Sequence, residues 1–531
     1  MTRGTAGFNY MVAGCTSAGP RGLTRRGLLR SGAGAAAALI GGGRRTPAAA
    51  QTPGMLRIAR GADARSLDPH INARLYDRMV LYTLYEPLID ADSEGRFFPV
   101  LAKSWDVGST GLVVTFHLRS GVVFHDGTPF TAETVKWNIE RVLDPATGSE
   151  HRTRFEGIIQ GVQAADATTV RIYLTRPYPP LFSELTDRPG LMVSPAAVKK
   201  FGRDFGRNPV GTGAFRFVDW IQGNRVVVQR SEQYWNRRAI RSAGITFTDF
   251  PEPAVADARL RGGDLDVVAL EGLPADDVLA FQKQPAYRVV LSPAYRWEAI
   301  QMKVDVPPFD NRNLRQAIMY GINREQIRTV IYRGLGKATG KFFHEGWWQD
   351  PSYNGPAYNP DLAKQRLRES GYLDRPAPLL LYVLSSQVPL GEMAQAQLAA
   401  IGLRTNIRLV SERDQYPMVL RGEIPFTIPE TWTPRVDPHG LSYILWHSKG
   451  YANSSHYRNP QVDKLLDDAS ATYDTKTRTK LYRQAERLIV DDASYVFYYA
   501  APDYALMRRQ VRGFRYGFDL MPRVAEAWVE G

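Results

Sequence analysis

Cysteine is almost absent from this 531-residue chain. Its single cysteine is Cys15, so residues 51–531 can form no disulfide and supply no thiol nucleophile. Long apolar runs are missing too, because the stretch 31–43 has only 13 residues and is rich in glycine and alanine. Motifs of zinc proteases, thiol redox sites, P-loops and serine hydrolases are also lacking. We therefore expect residues 51–531 to be soluble, with no cofactor, no resident metal and no catalytic residue.

Positive charge is in excess, but much of it lies in one place. The formal net charge is +13. Residues 1–50 hold seven of the 67 basic residues and no acidic residue, which leaves 60 basic against 54 acidic residues in the rest of the chain. That excess is modest and forms no long basic run. The charge pattern therefore argues against nucleic acid as a partner.

The first 50 residues follow the order of an export signal. Paired Arg25 and Arg26 precede the apolar stretch 31–43, and small residues follow at 47–50. This layout resembles a twin-arginine signal peptide, which exports an already folded protein and is then removed. We expect residues 1–50 to be this signal and the mature chain to be periplasmic. The alternative is a disordered basic tail.

Strand and helix patterns alternate along the remaining chain. Strands are predicted at 55–59, 112–118, 170–174, 214–218, 225–229, 378–384 and 496–500, and helices at 76–84, 131–142, 310–331, 361–371, 392–401, 463–473 and 477–490. Residues 122–124 are predicted to pair with the strand at 112–118. Asp126-Gly127 is predicted to be a turn before a helix capped by Thr131. The mixture predicts an α/β protein with at least two lobes.

Two local patterns invite a chemical interpretation that their spacing does not favour. The segment 211–213 is only a fragment of a dinucleotide loop and is better explained as a backbone turn. The set His439, His447 and His456 lacks the usual spacing of a zinc site. Convergent catalytic triads leave no motif, so an exported hydrolase stays open as an alternative.

Several segments resemble the extracytoplasmic solute-binding proteins of family 5, which serve dipeptide, oligopeptide and nickel ABC transporters. The resemblance is carried, in order, by residues 101–105, 115–133, 209–215, 234–235, 308–324 and 459–463. It implies the class II periplasmic-binding-protein fold, in which two α/β lobes are joined by two crossing strands. It also implies that a ligand is held between the lobes, which close by a hinge motion.

The resemblance implies a domain organisation and a set of partners. We expect a signal at 1–50, lobe I at 51–90 and 206–295 with an inserted subdomain at 91–205, lobe II at 296–498, and a return of 499–531 to lobe I. The implied ligand is a peptide or a similar small polar solute, which a monomer delivers to the permease subunits of an ABC transporter. Receptors for a metal chelate, an opine or an oligosaccharide stay open.

The best candidate for ligand contact is the segment 430–439. In peptide-binding relatives an Asp soon after a Trp pairs with the ligand's ammonium group, whereas here Arg435 is the third residue after Trp432 and Asp437 follows. An arginine at this place favours a carboxylate or phosphate. Alternatively, Arg435 is a solvated cation and Asp437 a helix cap. Further candidates, chosen for aromatic, basic or hydrogen-bonding side chains, are His439, Tyr451, Asn453, Ser454, Arg74, Tyr76, Arg296 and Trp297.

Overall fold

The architecture is that of a computed structural model, and it describes residues 54–71, 77–270, 272–372, 377–429 and 434–531. The predicted signal at 1–50 lies outside these ranges. In the described part of the chain, no helix has both the length and the apolarity that crossing a membrane requires.

The strands and helices are defined here in chain order. The strands are β1 Met55–Arg60, β2 Ile89–Ala91, β3 Phe97–Pro99, β4 Ala102–Val107, β5 Val113–Leu118, β6 Ile159–Asp166, β7 Thr169–Leu174, β8 Phe215–Ile221, β9 Arg225–Arg230, β10 Gly244–Asp249, β11 Val267–Val268, β12 Tyr287–Met302, β13 Lys337–Ala338, β14 Leu379–Val383, β15 Thr405–Leu409, β16 Phe426–Thr427, β17 Tyr495–Arg508, β18 Val511–Arg512, β19 Arg515–Tyr516, β20 Pro522–Arg523 and β21 Trp528–Val529. The helices are α1 Arg78–Leu84, α2 Ala132–Leu143, α3 Leu181–Leu185, α4 Pro195–Phe201, α5 Pro253–Arg261, α6 Ala275–Gln282, α7 Arg312–Gly321, α8 Arg324–Val330, α9 Pro360–Glu369, α10 Val388–Ala400, α11 Glu412–Leu420, α12 His439–Trp446, α13 Pro460–Ser470 and α14 Thr475–Asp492.

A mixed sheet carries both lobes. Its strand order is β15-β14-β16-β12-β17-β11-β1-β10-β9-β8, and β13 pairs with β17. In lobe I, β1 pairs in parallel with β10 and β11, and in lobe II β14 pairs in parallel with β15 and β16. Parallel neighbours need crossover connections, which intervening segments with helices supply. The predicted two-lobed α/β fold is confirmed.

Two long strands join the lobes. β12 and β17 run antiparallel, and their register breaks between Leu291 and Tyr295. Close to this break, Ser292 Oγ accepts a hydrogen bond of 2.8 Å from the Asp503 backbone N–H, and Arg296 Nη2 donates to Asp503 Oδ1 at 2.6 Å. A register break bends the strand and interrupts its ladder. The crossing strands therefore have a defined place at which they can bend.

The inserted subdomain has its own sheet, with the order β4-β5-β7-β6. The prediction that residues 122–124 pair with β5 is wrong, because β5 lies between β4 and β7. Val123 instead forms an isolated bridge with Pro129. Gly121 and Gly127 have φ values of +77° and +82°, which turn the chain on both sides of this short segment. The predicted turn at Asp126-Gly127 before a helix is present.

Lobe II contains helices whose caps differ from those predicted. Asn311, Asn323 and Asn359 accept hydrogen bonds from the backbone of the first turns of α7, α8 and α9. Asp310 and Asp361, with which the predicted helices begin, are therefore not the caps, and the predicted helix 310–331 is two helices. Proline at the first position of α9 fixes the helix start one residue earlier than Asp361. The acidic side chain then lies in the first turn, where the helix dipole favours it.

Each region buries its own apolar cluster. The core of lobe I includes Leu56, Ile58, Val228, Ile245 and Phe247; that of the inserted subdomain includes Val114, Phe116, Ile139 and Ile172; that of lobe II includes Leu314, Leu381, Leu398, Trp446 and Tyr498. Full burial of one such aliphatic side chain contributes about 1.5–3 kcal/mol. The lobe II cluster also takes in Phe518, Leu520 and Met521 of the C-terminal segment, so apolar packing joins the two sides of the cleft as well.

Candidate functional site

Lobe II touches the inserted subdomain through a polar contact. Arg435 Nη1 donates to Asp187 Oδ2 at 2.6 Å, and the Asp437 backbone N–H donates to Ser183 Oγ at 3.2 Å. Ser183 lies in α3 and Asp187 lies two residues after its end, so one short segment presents both groups. The segment that the sequence singled out in lobe II therefore lies at the contact between lobes.

Asp187 is the centre of this contact. Its side chain is buried and faces four arginines, with Arg78 Nε at 3.3 Å, Arg188 Nε at 3.2 Å, Arg154 Nη1 at 2.8 Å and Arg435 Nη1 at 2.6 Å. Burial alone would raise the pKa of the Asp187 carboxyl, but the guanidinium groups outweigh it and hold that pKa well below its ordinary value. Asp187 is therefore ionised throughout the physiological pH range.

A second row of charges lies behind Asp187. Arg78 also contacts Asp519, which accepts from Arg523 Nη1 at 3.1 Å. Arg523 Nε in turn lies 3.3 Å from Asp90 Oδ2. These charges come from the start of α1, from β2 and from the C-terminal segment. The site thus joins parts of the chain that are distant in sequence.

Asp437 has a different partner. Arg478 Nη2 donates to both of its carboxylate oxygens, at 2.9 and 2.7 Å, and Asp437 Oδ1 accepts from the His439 backbone N–H at 2.9 Å. Asp437 and Arg478 belong to lobe II and are buried. This carboxylate is occupied by contacts within its own lobe, and it lies one residue before Pro438, the N-cap of α12.

His439 begins α12 and faces the inserted subdomain. Its ring meets the Tyr178 ring edge to face, with centroids 5.6 Å apart, and the Tyr443 ring at 4.9 Å. Burial, together with the nearby charges of Arg176 and Arg478, lowers the pKa of His439 to about 3. The imidazole is therefore neutral in this closed arrangement at any physiological pH.

A small cavity lies beside these groups. It has a volume of about 30 Å³, and Trp297, Arg435, Asp437, Trp348 and Phe518 are among its lining residues. Ligand pockets for drug-sized molecules have volumes of about 300–1,000 Å³. This cavity has room for little more than one water molecule, and beside it the contact between Arg435 and Asp187 holds the two sides together.

The two candidates on the crossing strand have structural contacts. Arg296 pairs with Asp503 of the opposite strand at 2.6 Å. Trp297 is buried in an aromatic cluster, with ring centroids 5.8 Å from Trp446 and 5.3 Å from Phe497. Trp297 lines the small cavity, so it is the one of the two that borders the contact between lobes.

The candidates after α12 are not brought to that cavity. Tyr451 is 66% exposed. Asn453 Nδ2 donates to the carbonyl oxygens of His447 and Tyr457, at 3.2 and 2.8 Å, and so shapes its own loop. Ser454 Oγ accepts from Gln301 Nε2 at 3.0 Å and lines a separate small cavity.

Three predicted residues cannot be placed. Arg74, Tyr76 and Trp432 lie outside the described residues. Within the described ranges, no group of three or more His, Cys, Asp and Glu side chains is arranged to hold a metal ion. The set His439, His447 and His456 is therefore not gathered into such a group.

Sequence reasoning missed most of the charged site. Asp187 and its neighbours Arg78, Arg154 and Arg188 form no motif, and Asp519 lies more than 300 residues further along the chain. The only local signal is the charged pair at 187–188 between an apolar helix and Pro189. Such a pair occurs in many surface turns, so it does not single out a site.

Comparisons with known proteins agree with this architecture. Residues 96–453 match the family described as bacterial extracellular solute-binding proteins, family 5 middle. The glutathione-binding protein GsiB of Pectobacterium atrosepticum is 29% identical over 454 residues, which are 83% of this chain and 87% of that protein.

Solved structures are also similar. The periplasmic binding protein DppA from Helicobacter pylori, in complex with the peptide STSA, has a TM-score of 0.78 and 25% identity, covering 90% of this chain and 98% of its own. NikZ from Campylobacter jejuni, in complex with Ni(L-His), has a TM-score of 0.78 over 90% of this chain and 100% of its own. At 20% identity, the likeness to NikZ concerns the fold alone. The family match covers more than half of the sequence, and the chain therefore belongs to the bacterial extracellular solute-binding proteins of family 5.

Proposed function

We propose that this chain is the substrate-binding component of an ABC transporter and that it holds a peptide or a similar small polar solute between its lobes. The observation that carries the proposal is the contact between Arg435 of lobe II and Asp187 of the inserted subdomain. It places charge-assisted hydrogen-bonding groups from both sides at one point. The names of two similar proteins, a glutathione-binding protein and a DppA with a bound peptide, favour a peptide-like ligand.

Binding follows from opening and closing about the crossing strands. The cavity of about 30 Å³ in the closed form is too small for a peptide, so a ligand enters when the lobes part. The register break between Leu291 and Tyr295 is the proposed hinge. Closure then removes water from the ligand and strengthens each polar contact. Micromolar affinity needs about 8 kcal/mol, which a few ionic contacts and apolar walls can supply.

The cellular setting is part of the same proposal. We place the mature chain in the periplasm as a monomer that delivers its solute to membrane permease subunits, after export by the twin-arginine-type signal at 1–50. The matched relatives are substrate-binding proteins, which favours a receptor over the alternative of an exported hydrolase. A receptor holds its ligand in a fixed ratio and leaves it unchanged.

Native mass spectrometry of the mature protein, purified without refolding, tests the proposal. We expect one protein per complex and a peptide-like compound released intact on denaturation. Small-angle scattering should show a smaller radius of gyration after the compound is added back. Release of a metal chelate, an opine or a sugar would overturn the peptide assignment. Conversion of the added compound to a product would overturn the receptor assignment.

A further inference from the structure

A larger cavity lies beside α4, away from the contact between the lobes. Its volume is about 480 Å³, which falls within the range of about 300–1,000 Å³ that is typical of pockets for small molecules. Its lining comes from the turn at 125–128, from α4, and from the segment 208–217 that leads into β8. In the described part of the chain, this cavity shares no lining residue with the small cavity beside Arg435. It is therefore a separate place for a ligand.

The turn on one side of this cavity is held by hydrogen bonds. His125 Nε2 lies 2.9 Å from the Gly213 carbonyl oxygen. Asp126 Oδ2 accepts from Ser194 Oγ at 2.6 Å, and Asp126 Oδ1 accepts from the backbone N–H and the hydroxyl of Thr128 at 3.0 and 2.6 Å. Both carboxylate oxygens of Asp126 thus hold the wall in place. A wall that is already ordered lowers the entropy cost of binding a ligand.

Half of the lining is apolar. Phe201, Val210 and Phe217 are partly buried against the core of lobe I, and they also border the cavity. Ala196 and Ala197 of α4 add small side chains to the same lining. Aromatic and aliphatic walls of this kind favour a ligand with an apolar body, because binding removes its surface from water.

Two basic side chains border the same space. Lys200 of α4 lines the cavity, with its Nζ 5.0 Å from the centroid of the Phe201 ring. Arg216 of β8 donates from Nη2 to Gln229 Oε1 at 3.0 Å, which engages one of the five N–H donors of a guanidinium group. Lys200 and Arg216 are both exposed, so their charged heads can be reached from solvent. Ammonium and guanidinium donors form charge-assisted hydrogen bonds with a carboxylate.

We propose that this cavity is a second binding site, which takes a monocarboxylate whose apolar body is about the size of a phenyl group. The apolar body packs against Phe201 and Phe217. The carboxylate accepts hydrogen bonds from Lys200 and Arg216. This site is independent of the cleft between the lobes, and it binds whether or not a solute occupies that cleft. Because both cations are exposed, we expect a Kd of about 1 mM.

A titration of the mature protein followed by ligand-observed NMR tests the site, with phenylpropionate as the probe. Phenylpropanol and phenylpropylamine have the same ring and the same chain, but they lack the negative charge. We expect phenylpropionate to bind at least about threefold more tightly than either compound, which is the size of effect that an exposed ion pair gives. Added salt should reduce this difference, because it screens exposed charges.

Variants locate the binding. Lys200→Gln and Arg216→Gln should each weaken the binding of phenylpropionate about threefold, and the double variant about tenfold. Ala196→Leu fills part of the cavity without changing a charge, so it should weaken the binding of all three compounds. Lys199→Gln removes a positive charge from the neighbouring residue of α4, which is exposed and is not among the described lining residues. This control variant should bind phenylpropionate as the unaltered protein does.

The other outcomes would overturn the proposal. Equal binding of the three compounds would show that the site does not recognise a carboxylate. A loss in Lys199→Gln as large as that in Lys200→Gln would show a general attraction of anions to α4. Loss of binding in Arg435→Gln, with Lys200→Gln unaffected, would place the probe in the cleft. No binding of phenylpropionate at millimolar concentration would leave no site. Circular dichroism shows that each variant is folded; should the double variant not fold, the single variants carry the test.

Discussion

Asp187 and Asp437 are both buried carboxylates bound by arginine, yet they are built differently. Asp437, 3% exposed, meets the single guanidinium group of Arg478 in its own lobe. Asp187, 4% exposed, is shared among four guanidinium groups, of which that of Arg435 comes from the other lobe. A complete pair within one lobe stabilises the fold of that lobe. A carboxylate shared among guanidinium groups from both sides of the cleft also stabilises the contact between the lobes.

The largest effect should come from the pair within lobe II. Asp437→Ala leaves Arg478 buried without its carboxylate, and removal of one partner of a buried ion pair costs about 3–5 kcal/mol. We expect the free energy of unfolding, measured by urea titration, to fall by about that amount. A loss below about 1 kcal/mol would mean that water reaches Arg478 and that the two aspartates are not as different as their contacts suggest.

A pH-dependent effect should appear at His439, which lies beside Asp437 and contacts Tyr178 across the cleft. Its pKa is about 3 in the closed fold and about 6.5 when unfolded. The unfolded chain therefore binds the proton more readily, so the stability that depends on neutral His439 is present above pH 6.5 and is lost as the pH falls towards 3. At pH 5 the loss is at most about 2 kcal/mol.

The variant His439→Gln removes this titration. We expect the difference in free energy of unfolding between the variant and the unaltered protein to move in favour of the variant as the pH falls from 7.5 to 5. Other titrating groups, such as Glu86 and Glu486, whose pKa values burial raises to about 7, are present in both proteins and cancel in the difference. A difference that does not change with pH would contradict the assignment of a neutral, buried His439.

A smaller stability effect is expected at the shared carboxylate. In Asp187→Asn the guanidinium groups can reach water when the lobes part, so we expect a loss of about 1–2 kcal/mol. The clearer change should be a larger radius of gyration in small-angle scattering, because the contact that closes the lobes is weakened. If the free energy of unfolding falls as much as in Asp437→Ala and the radius of gyration is unchanged, the two aspartates play the same structural role.

The smallest effect should come from an exposed pair. Lys464 is 75% exposed and lies 2.8 Å from Asp468 on the same helix. Exposed pairs of this kind contribute little, so Lys464→Gln should change the free energy of unfolding by less than about 0.5 kcal/mol. Urea titration of Lys464→Gln alongside the two aspartate variants gives the baseline against which their losses of stability are compared. A larger change would show that the loss of stability in these variants depends on the removal of a charge alone, rather than on how deeply that charge is buried.

Much of the fold could be predicted from local patterns. The alternating residues of β5 and the apolar face of α2 appear where the sequence places them. The exception at residues 122–124 has a local cause, since Gly121 turns the chain and a short apolar run does not reveal its pairing partner. The starts of α7 and α9 were displaced by two residues and one residue, because an asparagine rather than the neighbouring aspartate is the cap.

The candidate site was predicted only in part. The sequence singled out Arg435 and Asp437 and left open whether they bind a ligand, a solvent shell or a helix end. Their partners are separated from them by 248 and 41 residues, a distance over which no periodicity carries information. Arg78 and Asp519 were missed for the same reason, since charged residues near turns are common throughout the chain.

The sequence by itself determined the family, the two-lobed α/β class and the segment of lobe II that reaches the cleft, because these depend on local patterns and on motifs that are continuous in the chain. Only the tertiary structure decided which carboxylate each arginine meets. Ion pairing depends on distances of 3–4 Å between atoms brought together by folding. The charge that the cleft presents to a solute is therefore a property of the assembled lobes, whereas the fold class of each lobe can be predicted from the sequence.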